Sequence, residues 1–243
     1  MSEEIGSSGQ QTSTIQQAID LAVQHHSSGD LPEAESIYQQ ILQADPNQPV
    51  ALHLLGVIAH QVAKNDTAVE LINKALQLSP KYVAAHSNLG NILQSLERTE
   101  EAATSYRNAL DIDPDFLNAH INLSDALRSL GHFEDAIISS QKALSINPKH
   151  AVAHNNLGNI FFEMGKLDEA VKSFKRALKI EPNLVDAHCN LGTVLWNMGK
   201  FDQAADFATK ASHISPNNAT AHYTLGLAQQ SLERRIEALT SFR

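Results

Sequence analysis

Cysteine is nearly absent: Cys189 is the only one in 243 residues. It cannot form an internal disulfide and cannot build a thiolate metal site alone, so a reducing, cytoplasmic setting is expected. Aromatic residues make up 5% against 42% hydrophobic overall, which requires an aliphatic core and favours packed helices. Long apolar runs are missing too. No stretch approaches the ~18 uninterrupted apolar residues of a spanning helix, so no membrane partner is expected. The opening MSEEIGSSGQQTST has neither the basic region nor the apolar run of a secretory signal. Positive charge is scarce, with 18 Lys and Arg against 27 Asp and Glu and a net charge of −9. That balance excludes a broad phosphate-binding face, and with it a nucleic-acid partner. Residues 1–12 are too polar to bury a core and are expected to form a disordered tail. Helix is expected from Ser13 or Thr14, each three residues before Gln16 or Gln17 at capping-box spacing.

What is present is a period. Pro46, Pro80, Pro114, Pro148, Pro182 and Pro216 are each 34 apart. Ala34, Ala68, Ala102, Ala136, Ala170, Ala204 and Ala238 repeat at the same interval, and so does a Leu-Gly pair ending at Gly56, Gly90, Gly158, Gly192 and Gly226. The array covers 15–243, with units 15–48, 49–82, 83–116, 117–150, 151–184 and 185–218 and a partial unit 219–243. Each full unit shows helical spacing of apolar residues on both sides of a break, at Gly131, Gly165 and Gly199 in three of them. The closing proline interrupts the helix before it. An all-α solenoid of helix-turn-helix units follows. Glycine at the eighth and alanine at the twentieth repeat position are packing devices that let the two helices approach.

The fifth unit, with Leu157, Gly158, Phe161, Ala170, Phe174 and Pro182, resembles the tetratricopeptide repeat family pattern. This resemblance spans about residues 15–243 and implies a right-handed superhelix with a concave groove. One departure is systematic: histidine stands at the fourth position, in His86, His120, His154, His188 and His222.

Those histidines lie one repeat apart, roughly 10 Å from interhelix spacing, too far for zinc ligands that must all sit about 2 Å from one ion. A half-buried ring with one nitrogen hydrogen-bonded is the expectation instead. His150 and His154 are four apart but lack a third ligand, so no metal and no cofactor is expected. Cys189 shares its slot with Ser87, Ile121, Asn155 and Tyr223, and such variation suggests a surface position. With no phosphate loop, nucleophile elbow or catalytic insertion, the chain is read as non-enzymatic. Phe162 and Trp196 occupy one slot in adjacent units, and either anchor a ligand or cover neighbouring side chains.

Taking positions 4, 7, 8 and 11 as the core stripe, positions 6 and 9 share another face. That face carries Asn88, Asn91, Asn122, Asp125, Asn156, Asn159 and Asn190. Asparagine is a mediocre helix former, so its recurrence in mid-helix requires a reason. One is hydrogen bonding between repeats, or duplication of one ancestral unit. The other is recognition, because an amide both donates and accepts, as a peptide backbone does. A repeat of ~10 Å matches about three residues of extended chain at ~3.3 Å each. The strings AHSNLGNIL, AHNNLGNIF and AHCNLGTVL are similar to repeats of the O-linked N-acetylglucosamine transferase family. That resemblance implies that Asn88, Asn122, Asn156 and Asn190 line the groove and hold polypeptides by their backbones. The opening unit resembles bacterial repeat proteins that carry a transferase domain. The expected function is therefore binding of a polypeptide partner, with a substrate-recruiting arm of a larger glycosyltransferase-like enzyme or a self-assembling scaffold as alternatives. The last unit lacks a closing proline, which suggests a fragment or self-association through the C-terminal end, with Leu239 and Phe242 at that edge.

Overall fold

The computed structural model describes residues 3–241, with side chains from Thr14 to Glu233. Every regular element among them is a helix. They form α1 (Glu3–Ser27), α2 (Leu31–Ala44), α3 (Pro49–Gln61), α4 (Asn65–Leu78), α5 (Val83–Ser95), α6 (Thr99–Ile112) and α7 (Leu117–Ser129). The second half holds α8 (Phe133–Ile146), α9 (Ala151–Glu163), α10 (Leu167–Ile180), α11 (Val185–Asn197), α12 (Phe201–Ile214) and α13 (Ala219–Ser241). The all-α solenoid of tandem helix pairs is thus present. The chain forms two compact units, 1–119 and 120–243, divided within α7. The tail expected at 1–12 lies outside the described side chains. α1 is assigned from Glu3, upstream of the start expected at Ser13 or Thr14.

Two local signals cut the chain into pairs. The residue before each proline ends a helix in extended backbone, from Asp45 at φ −136° to Glu181 at φ −127°, because the proline ring excludes helical geometry there. Inside each pair the turn uses a left-handed residue at one repeat position: Gly29, Ala63, Glu97, Gly131, Gly165 and Gly199. Ala63 and Glu97 adopt φ of 61° and 60° with a Cβ present. α13 departs from this pattern by running unbroken past Glu233, the corresponding position. The side chains of Leu239 and Phe242 lie outside the described residues.

Packing within pairs follows size matching. The alanine at position 20 is fully buried in Ala34, Ala68, Ala102, Ala136, Ala170 and Ala204. A Cβ on Gly158 would sit 2.6 Å from the Phe174 ring, and one on Gly90 2.5 Å from the Tyr106 ring. The fourth unit replaces both partners: buried Ser124 donates to the Ala136 carbonyl at 2.9 Å and bonds Ser140, which stands where Tyr106 and Phe174 stand in the adjacent units. The buried stripe is also wider than positions 4, 7, 8 and 11. Position 3 (Ala85, Ala153, Ala187) and position 10 (Ile58, Ile160, Val194) are buried as well, since each first helix packs against both its own partner and the neighbouring repeat.

Candidate functional site

The periodic histidines act as local braces. His86, His154, His188 and His222 each donate Nε2–H to the carbonyl of the proline six residues earlier, at 2.7 to 3.2 Å. Each ring thereby ties its helix to the turn before it. His150 Nδ1 instead accepts from the Ala153 N–H, capping α9. Among the described residues no three metal-ligating side chains converge, and no helix is long and apolar enough to cross a membrane.

The repeats are also stitched to one another at a spacing of 35, one repeat plus one residue. Position 6 donates back to position 5 of the preceding unit: Asn88 Nδ2 to His53 Nε2 at 2.9 Å, and Asn190 Nδ2 to Asn155 Oδ1 at 3.1 Å. His53 Nδ1–H then donates to the Tyr82 hydroxyl oxygen at 3.0 Å. Burial pushes the His53 imidazole down to about 4, because charging it would strip water from the cation. Position 12 pairs with position 13 of the following unit. His26 bonds Gln61, Arg128 bonds Glu163, and the Trp196 indole N–H donates to Ser231 Oγ at 3.0 Å.

These links sort the expected site residues. Asn91 accepts from the Tyr106 hydroxyl at 2.9 Å, Asp125 accepts from Arg128, and Asn122 is engaged as well. Phe162 and Trp196 pack against the core around Phe174 and Leu195. Asn156 and Asn159 differ, since neither amide has a hydrogen-bond partner among the described residues. The reason for Asn156 is legible one repeat back: the residue 35 before it is Ile121, whose side chain accepts nothing.

Asn155, Asn156, Asn159, Asp186, Asn190 and Thr220 line one recess of about 250 Å³. α9 supplies three of its amides and α11 a fourth, so the helix pitch of one repeat and the step to the next converge on it. Asn88 and Asn91 belong to the compact unit 1–119. Asn122, Asp125, Phe162 and Trp196 do not line the recess. Asn190 directs one N–H to Asn155 and keeps its carbonyl oxygen, while Asn156 and Asn159 offer complete amides. The Asp186 carboxylate is exposed at the edge, with no cation among the lining residues.

Cys189 corrects the expectation of a surface slot. It is 2% exposed, and Ser87, Ile121 and Asn155 at the same position are also buried. Position 5 faces the following repeat, which adapts to whatever stands there, so variation at this slot reflects pairing rather than exposure. Tyr223 alone among those compared is open, at 67%. Burial, reinforced by Asp186, pushes the Cys189 thiol up to about 11, so it remains protonated and weakly reactive.

Asn155 was not among the residues expected from sequence, nor was the cluster of Thr193, Thr220, Tyr223 and Leu227 that lines an adjoining pocket. Asn155 could have been found from the 35-residue pairing. The cluster could have been found from the loss of asparagine at positions 6 and 9 toward the seventh unit.

Family models described as TPR repeat match residues 124–165 and 158–199, and models described as tetratricopeptide repeat match 49–82, 83–116 and 185–218. No curated protein matches the chain at a significant level. Among solved structures, MamA is 27% identical over 68% of this chain and 96% of its own, with a TM-score of 0.61. PilW, a type IV pilus biogenesis factor, is 21% identical over 87% of this chain and 98% of its own, with a TM-score of 0.79. YrrB, described as a TPR protein with an unusual peptide-binding site, is 22% identical over 76% of this chain and 96% of its own, with a TM-score of 0.60.

Proposed function

From the premise that the chain belongs to the tetratricopeptide repeat family, a protein-interaction scaffold, we propose that it binds an extended segment of another polypeptide in the amide-lined recess of the compact unit 120–243. The observation that carries this reading is the pair of uncommitted amides, Asn156 and Asn159, facing the same recess as Asn190. A helix interior gains nothing from asparagine, whereas two free amides match the alternating N–H and C=O of an extended chain. Such contacts grip the backbone and tolerate many side chains. Asp186, unopposed at the edge, favours a neutral or basic segment over an acidic one.

The same use of these asparagines is what the resemblance of AHNNLGNIF and AHCNLGTVL to O-linked N-acetylglucosamine transferase repeats would imply. In the alternative setting of a substrate-recruiting arm the recess would play the same part.

The test is a double substitution, Asn156→Ala with Asn159→Ala, assayed by capture of peptides from a displayed random library and by titration of the selected peptides. Loss of two hydrogen bonds at ~0.5–1.5 kcal/mol each predicts roughly 5- to 150-fold weaker binding. Helicity and melting temperature should be unchanged or slightly higher, because neither amide braces the fold. Undiminished binding in this variant would refute the proposal.

A further inference from the structure

Next to the amide recess, a pocket of about 370 Å³ opens between α11 and α13, lined by Thr193, Trp196, Thr220, Tyr223, Thr224 and Leu227. Thr220 lines both cavities, so they adjoin. The slots that hold Asn156, Asn159 and Asn190 in the fifth and sixth units hold Thr193, Thr224 and Leu227 here. The face thus passes from amide-lined to apolar within about one repeat.

The polar atoms of Trp196, Thr193 and Thr224 in this lining are engaged within the protein. The Trp196 indole N–H is bound to Ser231. The Thr193 hydroxyl donates to the Cys189 carbonyl at 3.0 Å and lies 3.3 Å from the Thr224 hydroxyl. The lining includes the indole of Trp196, the Leu227 side chain and Tyr223, which is 67% exposed. The lining contains no Asp, Glu, Lys, Arg or His. A polar or charged group entering would surrender water and find few partners, whereas an apolar one would exchange water for carbon contacts. The volume is at the small end of ligand pockets, about 300–1,000 Å³, which suits a single large side chain.

We infer that this pocket selects one bulky apolar side chain of the bound peptide, about three residues of extended chain from the segment held by Asn156 and Asn190. This selectivity rests on the peptide-binding reading above. The asparagines would hold the backbone without regard to sequence, and the pocket would set the sequence.

The experiment selects displayed random 12-residue peptides on the full chain, on Leu227→Asn, and on the Asn156→Ala, Asn159→Ala pair. Leu227→Asn makes the pocket polar at a partly exposed position, and Tyr223→Ala, at the exposed ring, serves as a second variant that leaves the core intact. Expected is enrichment of Leu, Phe, Trp or Met at one fixed position on the full chain. Replacing that residue by Ala should weaken binding roughly tenfold or more, and the same replacement should matter little on Leu227→Asn or Tyr223→Ala. Peptides that depend on Asn156 and Asn159 but show no apolar position, or an apolar position indifferent to both pocket variants, would overturn this inference and leave the groove intact. No enriched peptides, or peptides indifferent to the asparagine pair, would overturn both.

Discussion

Replacing glycine by alanine at two equivalent repeat positions should change stability in opposite directions. In isolation the substitution favours a helix by up to ~1 kcal/mol. At Gly158 the added Cβ lies 2.6, 2.7 and 2.8 Å from three carbons of the Phe174 ring, against an optimal carbon separation of about 3.5–4.0 Å. That ring is fully buried in the core with Ala170, Leu191 and Leu195, so it cannot swing into solvent. The helices must separate or the ring must leave its rotamer, an overpacking cost of ~1–3 kcal/mol. At Gly226 nothing among the described residues lies within 4 Å of the new Cβ, so the propensity gain is what remains. The difference between Gly158→Ala and Gly226→Ala cancels propensity and leaves the packing cost, ~1–3 kcal/mol in favour of the second. Urea denaturation followed by far-UV circular dichroism measures it, with hydrogen exchange on α9 and α10 as the local readout. A double variant with Phe174→Leu should recover part of the loss. A Gly158→Ala protein as stable as Gly226→Ala would show that the ring and the glycine do not set each other's size.

Two further predictions concern buried charge and backbone strain. His53 is neutral in the fold, with a value near 4 against an ordinary 6.5, so as pH falls the unfolded chain takes up the proton first. Its contribution, on the order of 3 kcal/mol, should be intact above about pH 6.5 and lost between about 6.5 and 4. His53→Asn, which copies the Asn155 to Asn190 bond, should remove that part of the acid sensitivity, and an unchanged pH profile in this variant would sink the assignment. Ala63→Gly and Glu97→Gly should each stabilise by ~0.5–1 kcal/mol, since relief of a left-handed Cβ clash of ~1–2 kcal/mol exceeds the added freedom of the unfolded chain. Lower denaturation midpoints in both would mean that these side chains contribute contacts at the turn that outweigh the strain.

Much of the architecture was legible because its causes are local. Proline forbids helix in the residue before it, and apolar spacing sets a helical face, so the period of 34, the helix pairs and their boundaries could be read directly. The small residues at positions 8 and 20 were legible for the same reason, since close helix approach within a pair has few other solutions. The asparagines mark where that reasoning ends. Asn88, Asn156 and Asn190 occupy one repeat position, and helical periodicity places them on one face without distinguishing them. Their fates depend on the residue 35 positions earlier: His53 and Asn155 accept a hydrogen bond, and Ile121 has no group that can. Burial of Cys189 at another shared position likewise follows from what the following repeat presents. A solenoid buries each unit only against its neighbours, so sequence determines the unit, while packing between units decides which polar side chains are bound within the fold and which remain for a ligand.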